Sequence, residues 1–184
     1  MAVVLGTNAG FVTVAPTTDP AGTNFISDNR SNATMDTTSA GNKIVTELGW
    51  YCDGATEEAN FEVGIYTDSG GTIPDVVVGS LSTTNAKGTT VGWKKVTGLS
   101  IALNGSTAYW IAVQLDNTST ITNSNSSAGG AGNSINTAAF TSLPSPWGAE
   151  QSGGTLAYSI YAKVEATPVS GSTDNMSIIG ENIY

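Results

Sequence analysis

Wherever this chain carries a regular apolar pattern, the pattern repeats with a period of two. No window of about 12 residues or more shows a 3.6-residue period bounded by helix caps. Phe61, Val63 and Ile65 alternate with Asn60, Glu62, Gly64 and Tyr66 ahead of the turn cluster Asp68-Ser69-Gly70-Gly71. In Lys43 to Cys52, the residues Ile44, Leu48, Trp50 and Cys52 share one parity with Thr46, and Val45, Glu47 and Tyr51 share the other. Leu156, Tyr158, Ile160, Ala162 and Val164 form one face of a last such run. Successive side chains of a strand point to opposite faces, so each segment has one face to bury and needs a second sheet to bury it. About eight strands separated by turns, with no helix, predict an all-β fold: an antiparallel β-sandwich, jelly-roll-like.

Between these runs lie Val76 to Leu81, a more continuous apolar stretch, and Gly92 to Val96 with Trp93. Leu99, Ile101 and Leu103 lead into Asn104-Gly105, and Thr107 to Leu115 follows with Tyr109, Ile111, Val113 and Leu115 on one face. Asn-Gly between alternating runs is the strongest short hairpin signal, so the two runs are expected to pair as antiparallel neighbours. Asp116 to Ser134 is a low-complexity stretch of Asn, Thr, Ser and Gly. It predicts a strand only around Thr120 to Thr122, with Gly129, Gly130 and Gly132 in a flexible loop.

Three parts follow. Residues 1–31 form an extended arm whose short apolar pieces, Val3 to Leu5 and Phe11 to Val14, are cut off by Pro16 and Pro20. Residues 32–165 form the sandwich. Residues 166–184 form a tail, Ser/Gly-rich at first and then apolar at Met176, Ile178, Ile179, Ile183 and Tyr184. Apolar residues on a polar leash are poorly explained by exposure, so the tail is expected to fold back on its own sheet or dock on a neighbour. Phe11 and Val12 of the arm, with Ile178, Ile179, Ile183 and Tyr184 of the tail, are the candidate assembly contacts.

The sequence of 184 residues has no histidine, which removes Ser-His-Asp and Cys-His nucleophiles, His general bases and His zinc sites. With 15 acidic and 6 basic residues the net charge is −9, unsuited to phosphate backbones, so no nucleic-acid partner is expected. Charged residues are only 11% of the chain. Polarity comes instead from Thr, Ser, Asn and Gly, which favour strands and turns. Cys52, beside Trp50 and Tyr51, reads as a core thiol. The first residues lack the basic start and apolar run of a secretory leader, and no apolar stretch reaches membrane-span length.

Asp53, Glu57 and Glu58, with Glu62 beyond, form the densest acidic group. Its spacing matches no EF-hand loop, and adjacent carboxylates in one turn do not face each other across a sugar, so a solvated turn is the simpler reading. No metal or cofactor is expected. Among the aromatics, Trp50 has inward parity. Trp110 has the parity opposite to Ile111, Val113 and Leu115, and therefore lies on an outer face or on a second buried face. Trp110 and Trp147 are the candidates for stacking on a glycan.

The stretches VLGTNAGFVTVAPTTDPAGT, KIVTELGWYCDGATEEANFEVGIYTDSGG, NAKGTTVGWKKVTGLSIAL and STAYWIAVQLDN resemble jelly-roll domains of phage virion accessory proteins. The resemblance spans roughly Asn8 to Glu165 and carries no catalytic motif, so no functional residue transfers. It implies a non-enzymatic structural protein of a virus particle, decorating or cementing a phage capsid or tail. Its partners would be other virion proteins and copies of itself. The alternative is a carbohydrate-binding or adhesin module on a fibre or cell surface, with glycans as partners.

Overall fold

The computed structural model describes residues 1–21, 23–26, 30–52, 61–70, 73–84, 91–115, 123–136, 142–149 and 152–168. Eleven strands follow in order: β1 (Gly10–Val12), β2 (Thr23–Ile26), β3 (Ser31–Thr37), β4 (Lys43–Cys52), β5 (Phe61–Asp68), β6 (Pro74–Thr84), β7 (Gly92–Leu103), β8 (Ala108–Leu115), β9 (Asn123–Asn136), β10 (Ser152–Tyr158) and β11 (Ile160–Ala166). Among the described residues there is no helix. One sheet has four strands in the order β1-β11-β4-β7, and the other has seven in the order β10-β9-β3-β8-β5-β6, with β2 also on β9. Every pairing is antiparallel except that of β1 with β11.

The two sheets make a β-sandwich around one core. The four-stranded sheet contributes Val45, Leu48, Trp50, Ile101, Leu103, Ile160 and Val164, and the other sheet contributes Phe61, Val63, Ile65, Tyr109, Ile111, Val113 and Ile135. The rings of Trp50 and Phe61 meet edge to face at 6.1 Å across the layer. Burying each such side chain stabilises the fold by about 1.5–3 kcal/mol before the cost of chain ordering. Cys52 is a buried thiol in this core.

Three departures from simple alternation shape the molecule. In β4, Val45 and Leu48 both face the core although their parities differ. The pairing with β11 skips Thr46, a bulge that resets the parity and turns Glu47, Gly49 and Tyr51 outward. The two runs around Asn104-Gly105 do not pair: β7 lies in the four-stranded sheet and β8 in the other. Residues 104–107 arch across the end of the sandwich because Thr38 takes over the hydrogen bonding a hairpin would have made. Its hydroxyl donates to the Asn104 carbonyl at 2.7 Å and its carbonyl accepts from Ser106 N–H at 3.1 Å. Finally, the run Leu156 to Val164 keeps its parity but changes sheet at the buried Ser159, whose carbonyl accepts from Tyr51 N–H at 2.9 Å.

From Asn123 on, the Asn/Ser/Gly-rich run is not a loop but strand β9, while the strand expected around Thr120 to Thr122 lies outside the described residues. Gly130 and Gly132 sit where the neighbours come close. A Cβ on Gly130 would collide with the backbone of Leu156, and one on Gly132 would lie 3.2 Å from the Trp110 ring. Polar side chains near its end are used internally. Asn133 donates to the Tyr158 hydroxyl at 3.1 Å and accepts from Leu156 N–H at 3.0 Å.

Trp110 faces the second of its two alternatives, a buried outer layer. The segment 142–149 lies over the seven-stranded sheet, and Trp147 and Leu143 pack with Ala33, Tyr66, Trp110 and Ala112 in a second apolar cluster. Trp147 is held at three points: its N–H donates to Asp75 carbonyl at 2.9 Å, its indole N–H to Ser134 Oγ at 3.0 Å, and its carbonyl accepts from Asn136 at 2.7 Å.

Candidate functional site

The first 21 residues are not a free arm. A turn closes over Val4 to Ala9, where Asn8 Oδ1 accepts from Val4 N–H at 2.7 Å and Asn8 Nδ2 donates to Ala2 carbonyl at 3.0 Å. Val3 and Ala9 pack on Ala157 of β10, with Leu5 against them. Strand β1 then joins the edge of the four-stranded sheet, and the Phe11 ring meets Tyr109 of β8 edge to face at 6.4 Å.

A half-buried carboxylate fixes this lobe. Asp36 on β3 accepts the Phe11 N–H at 2.8 Å and the Thr37 N–H at 2.7 Å. Burial raises its pKa above the ordinary aspartate value, against the lowering effect of those two N–H donors. Gly10, with φ of +69°, supplies the close approach, because a Cβ there would strike the Asp36 carboxylate. Glu62 plays the same part for the opposite outer layer: it accepts the Leu143 N–H, and burial raises its pKa.

Beyond Val12 the chain crosses the outer face of the four-stranded sheet to its other edge, where the Thr18 carbonyl accepts from the Trp93 indole N–H at 3.4 Å. Beneath it the Trp93 ring meets Tyr51 and Tyr161, each at 5.3 Å edge to face. Tyr161 lies across Gly49, where a Cβ would come within 2.6 Å of its ring, and donates its hydroxyl proton to Glu47. Glu47 also pairs with Lys95 at 3.6 Å. Burial first, and the Glu47 carboxylate second, push the Tyr161 hydroxyl far above its ordinary pKa, so it acts as a donor and not as a base.

Between the turn and the crossing segment opens a groove of about 200 Å³, lined by Thr7, Asn8, Val14, Ala15, Pro16 and Thr18 among others. Among the described residues, no side chain lining it is charged. Beside it stand large apolar side chains left in water: Val14 is 73% exposed, Met1 57% and Val4 46%. This apolar and hydroxyl-bearing surface on a firmly held lobe is the candidate site. What it can do chemically is bind, because an apolar patch gains free energy when a partner removes it from water.

The residues singled out from the sequence fall differently. Phe11 and Val12 are buried within the chain itself. Strand formation is the cause: β1 inserts beside β11, Phe11 faces the core, and Val12 is buried on the opposite side of the strand. Trp110 and Trp147 are wholly buried, so neither presents a ring face to a sugar. Ile178, Ile179, Ile183 and Tyr184 lie outside the described residues, as do Asp53, Glu57 and Glu58. Among the described residues no group of three or more His, Cys, Asp or Glu is placed to hold a metal ion. Sequence reading missed Val4 and Val14. Both sit one or two residues from buried neighbours in the same short apolar runs, and only the ends of β1 and of the turn separate them.

No protein-family model matches the chain, and no curated protein matches its sequence.

Proposed function

We propose that this chain is a non-enzymatic structural protein of a virus particle, decorating or cementing a phage capsid or tail, and that its N-terminal lobe is the face that meets a neighbouring subunit. The observation that carries the reading is the exposed apolar set Val4 and Val14 beside the groove, on a lobe anchored by Asp36. A surface that is apolar and already ordered before contact loses little entropy on binding, which suits permanent assembly. The resemblance of the strand runs to virion accessory domains points the same way. In this reading the lobe's contact residues are Val4 and Val14, and Phe11 and Val12 hold the lobe in place.

The test is a double variant, Val4→Asp with Val14→Asp, in particle-binding experiments. Both side chains are exposed, so stability should change by no more than about 0.5 kcal/mol per site. Association with particles should fall at least tenfold. Unchanged association would refute the assignment of the lobe. For the carbohydrate-binding alternative, glycan-array signals that vanish with Trp93→Ala would speak for it, since Trp93 is the half-buried tryptophan on an outer face.

A further inference from the structure

At one end of the sandwich the two sheets part around a cleft of about 350 Å³, lined by Lys43, Thr67, Val78, Leu103, Tyr109 and Thr167 among others. It is an opening in the apolar core: Leu103 and Tyr109 are buried core members and Val78 packs against the same cluster. A cavity of about 150 Å³ accommodates benzene, so this one has room for about two aliphatic side chains. At its rim stands Lys43, one of six basic residues in a chain of net charge −9.

From this structure we infer that the cleft is the docking site of the chain's own segment 176–184, with Ile178 and Ile179 as the side chains that enter it. Three observations select this occupant. The wall of the cleft includes Thr167, whose N–H is fixed to the Asn42 carbonyl at 3.1 Å, so the segment that follows starts at the cleft itself. The intervening residues 169–175, Val-Ser-Gly-Ser-Thr-Asp-Asn, form a polar leash with a glycine near its start. Seven extended residues span at most about 25 Å, enough to turn back over the opening. Tethering at that distance gives the segment an effective concentration of about millimolar in its own cleft, ahead of any second molecule in dilute solution. Lastly, the apolar pair is flanked by Asp174 and Glu181, acidic partners for Lys43 on the rim. The inference goes beyond the assembly reading and does not depend on it.

Disulfide trapping in the full-length chain tests it. Cysteine is introduced at Thr67 on the cleft wall and at Ile179 in the segment, and the paired control carries Val4→Cys with Ile179→Cys. A disulfide needs Cα atoms within about 7 Å, so only a docked segment closes the bond efficiently. Cys52 is fully buried and does not compete. The expected result under mild oxidation is an intrachain bond in the T67C/I179C protein, seen as a faster-migrating monomer with the linked peptides found by mass spectrometry, and none in the control. Interchain dimers, no bond, or equal bonding in both proteins would each overturn the inference. Loss of the bond when Val78→Asp is added, with far-UV circular dichroism and the thermal unfolding transition showing the fold intact, is the supporting second readout.

Discussion

The carboxylate of Asp36 accepts the backbone N–H of Phe11 at 2.8 Å, so that a strand inside the seven-stranded sheet holds the edge strand of the four-stranded one. This bond ties the N-terminal lobe to the sandwich. Removing it by Asp36→Ala leaves a largely buried N–H without an acceptor, at a cost of about 1–3 kcal/mol. Gly10→Ala reaches the same contact from the other side, adding a left-handed backbone penalty of about 1–2 kcal/mol and a collision with the carboxylate. Both variants should lower the urea midpoint and speed amide exchange in residues 1–12, leaving β5 and β8 protected longest. Unchanged exchange in the lobe would contradict the tie.

The pH dependence has a defined sign. Burial raises the pKa of Asp36 above its unfolded value of 3.8, and that of Glu62 above 4.5. The folded state therefore holds these two protons more tightly than the unfolded chain does. Their contribution to stability is fully present below the unfolded pKa values and is lost as the pH rises through the folded ones. Relative to Asp36→Asn or Glu62→Gln, the native protein should lose unfolding free energy as the pH is raised from 4 towards neutrality. Urea titrations across that range check it; a native protein that gains relative to both variants would reverse the argument.

Trp147 is a packing residue, and its loss should be a stability event. Trp147→Ala opens a cavity against Tyr66, Trp110 and Leu143 and removes the indole N–H that donates to the Ser134 hydroxyl. Large aromatic truncations of this kind cost about 3–5 kcal/mol. Equilibrium unfolding should show a loss of that size, and a change under 1 kcal/mol would mean that segment 142–149 is not a structural layer.

Gly49 permits the Tyr161 ring to lie flat over β4. A valine there forces the ring away, breaking its hydrogen bond to Glu47 and its contact with Trp93. Overpacking of this kind costs about 1–3 kcal/mol. Gly49→Val should lower the melting temperature and shift tryptophan fluorescence through Trp93. An unchanged spectrum would show that the three rings do not form one unit.

Alternation told which residues share a face, and for Phe61, Val63 and Ile65, or Leu156 to Val164, that was sufficient to place them in the core. It is silent on what covers the other face. Trp110 and Tyr66 were legible as outward, whereas the segment that buries them carries no periodicity because it is held by Glu62, Ser134 and Asn136 and not by a ladder. A bulge at Thr46 reverses parity without a composition signal. Strand β9 reads as a loop from its composition because Asn133 finds its partners, Tyr158 and Leu156, within the fold, which no local pattern announces. The exposed pair Val4 and Val14 was hidden for a related reason: adjacent residues in one apolar run are sorted inward or outward by where a three-residue strand begins and ends.

The proposed role is that of a structural component of a particle, attached through the N-terminal lobe. Electron cryo-microscopy of native particles carrying the protein tests it most directly. Regularly spaced copies on the capsid or tail lattice, with Val4 and Val14 against the neighbouring subunit, are the expected result. Copies absent from the lattice, or bound with the groove beside Val14 open to solvent, would contradict it.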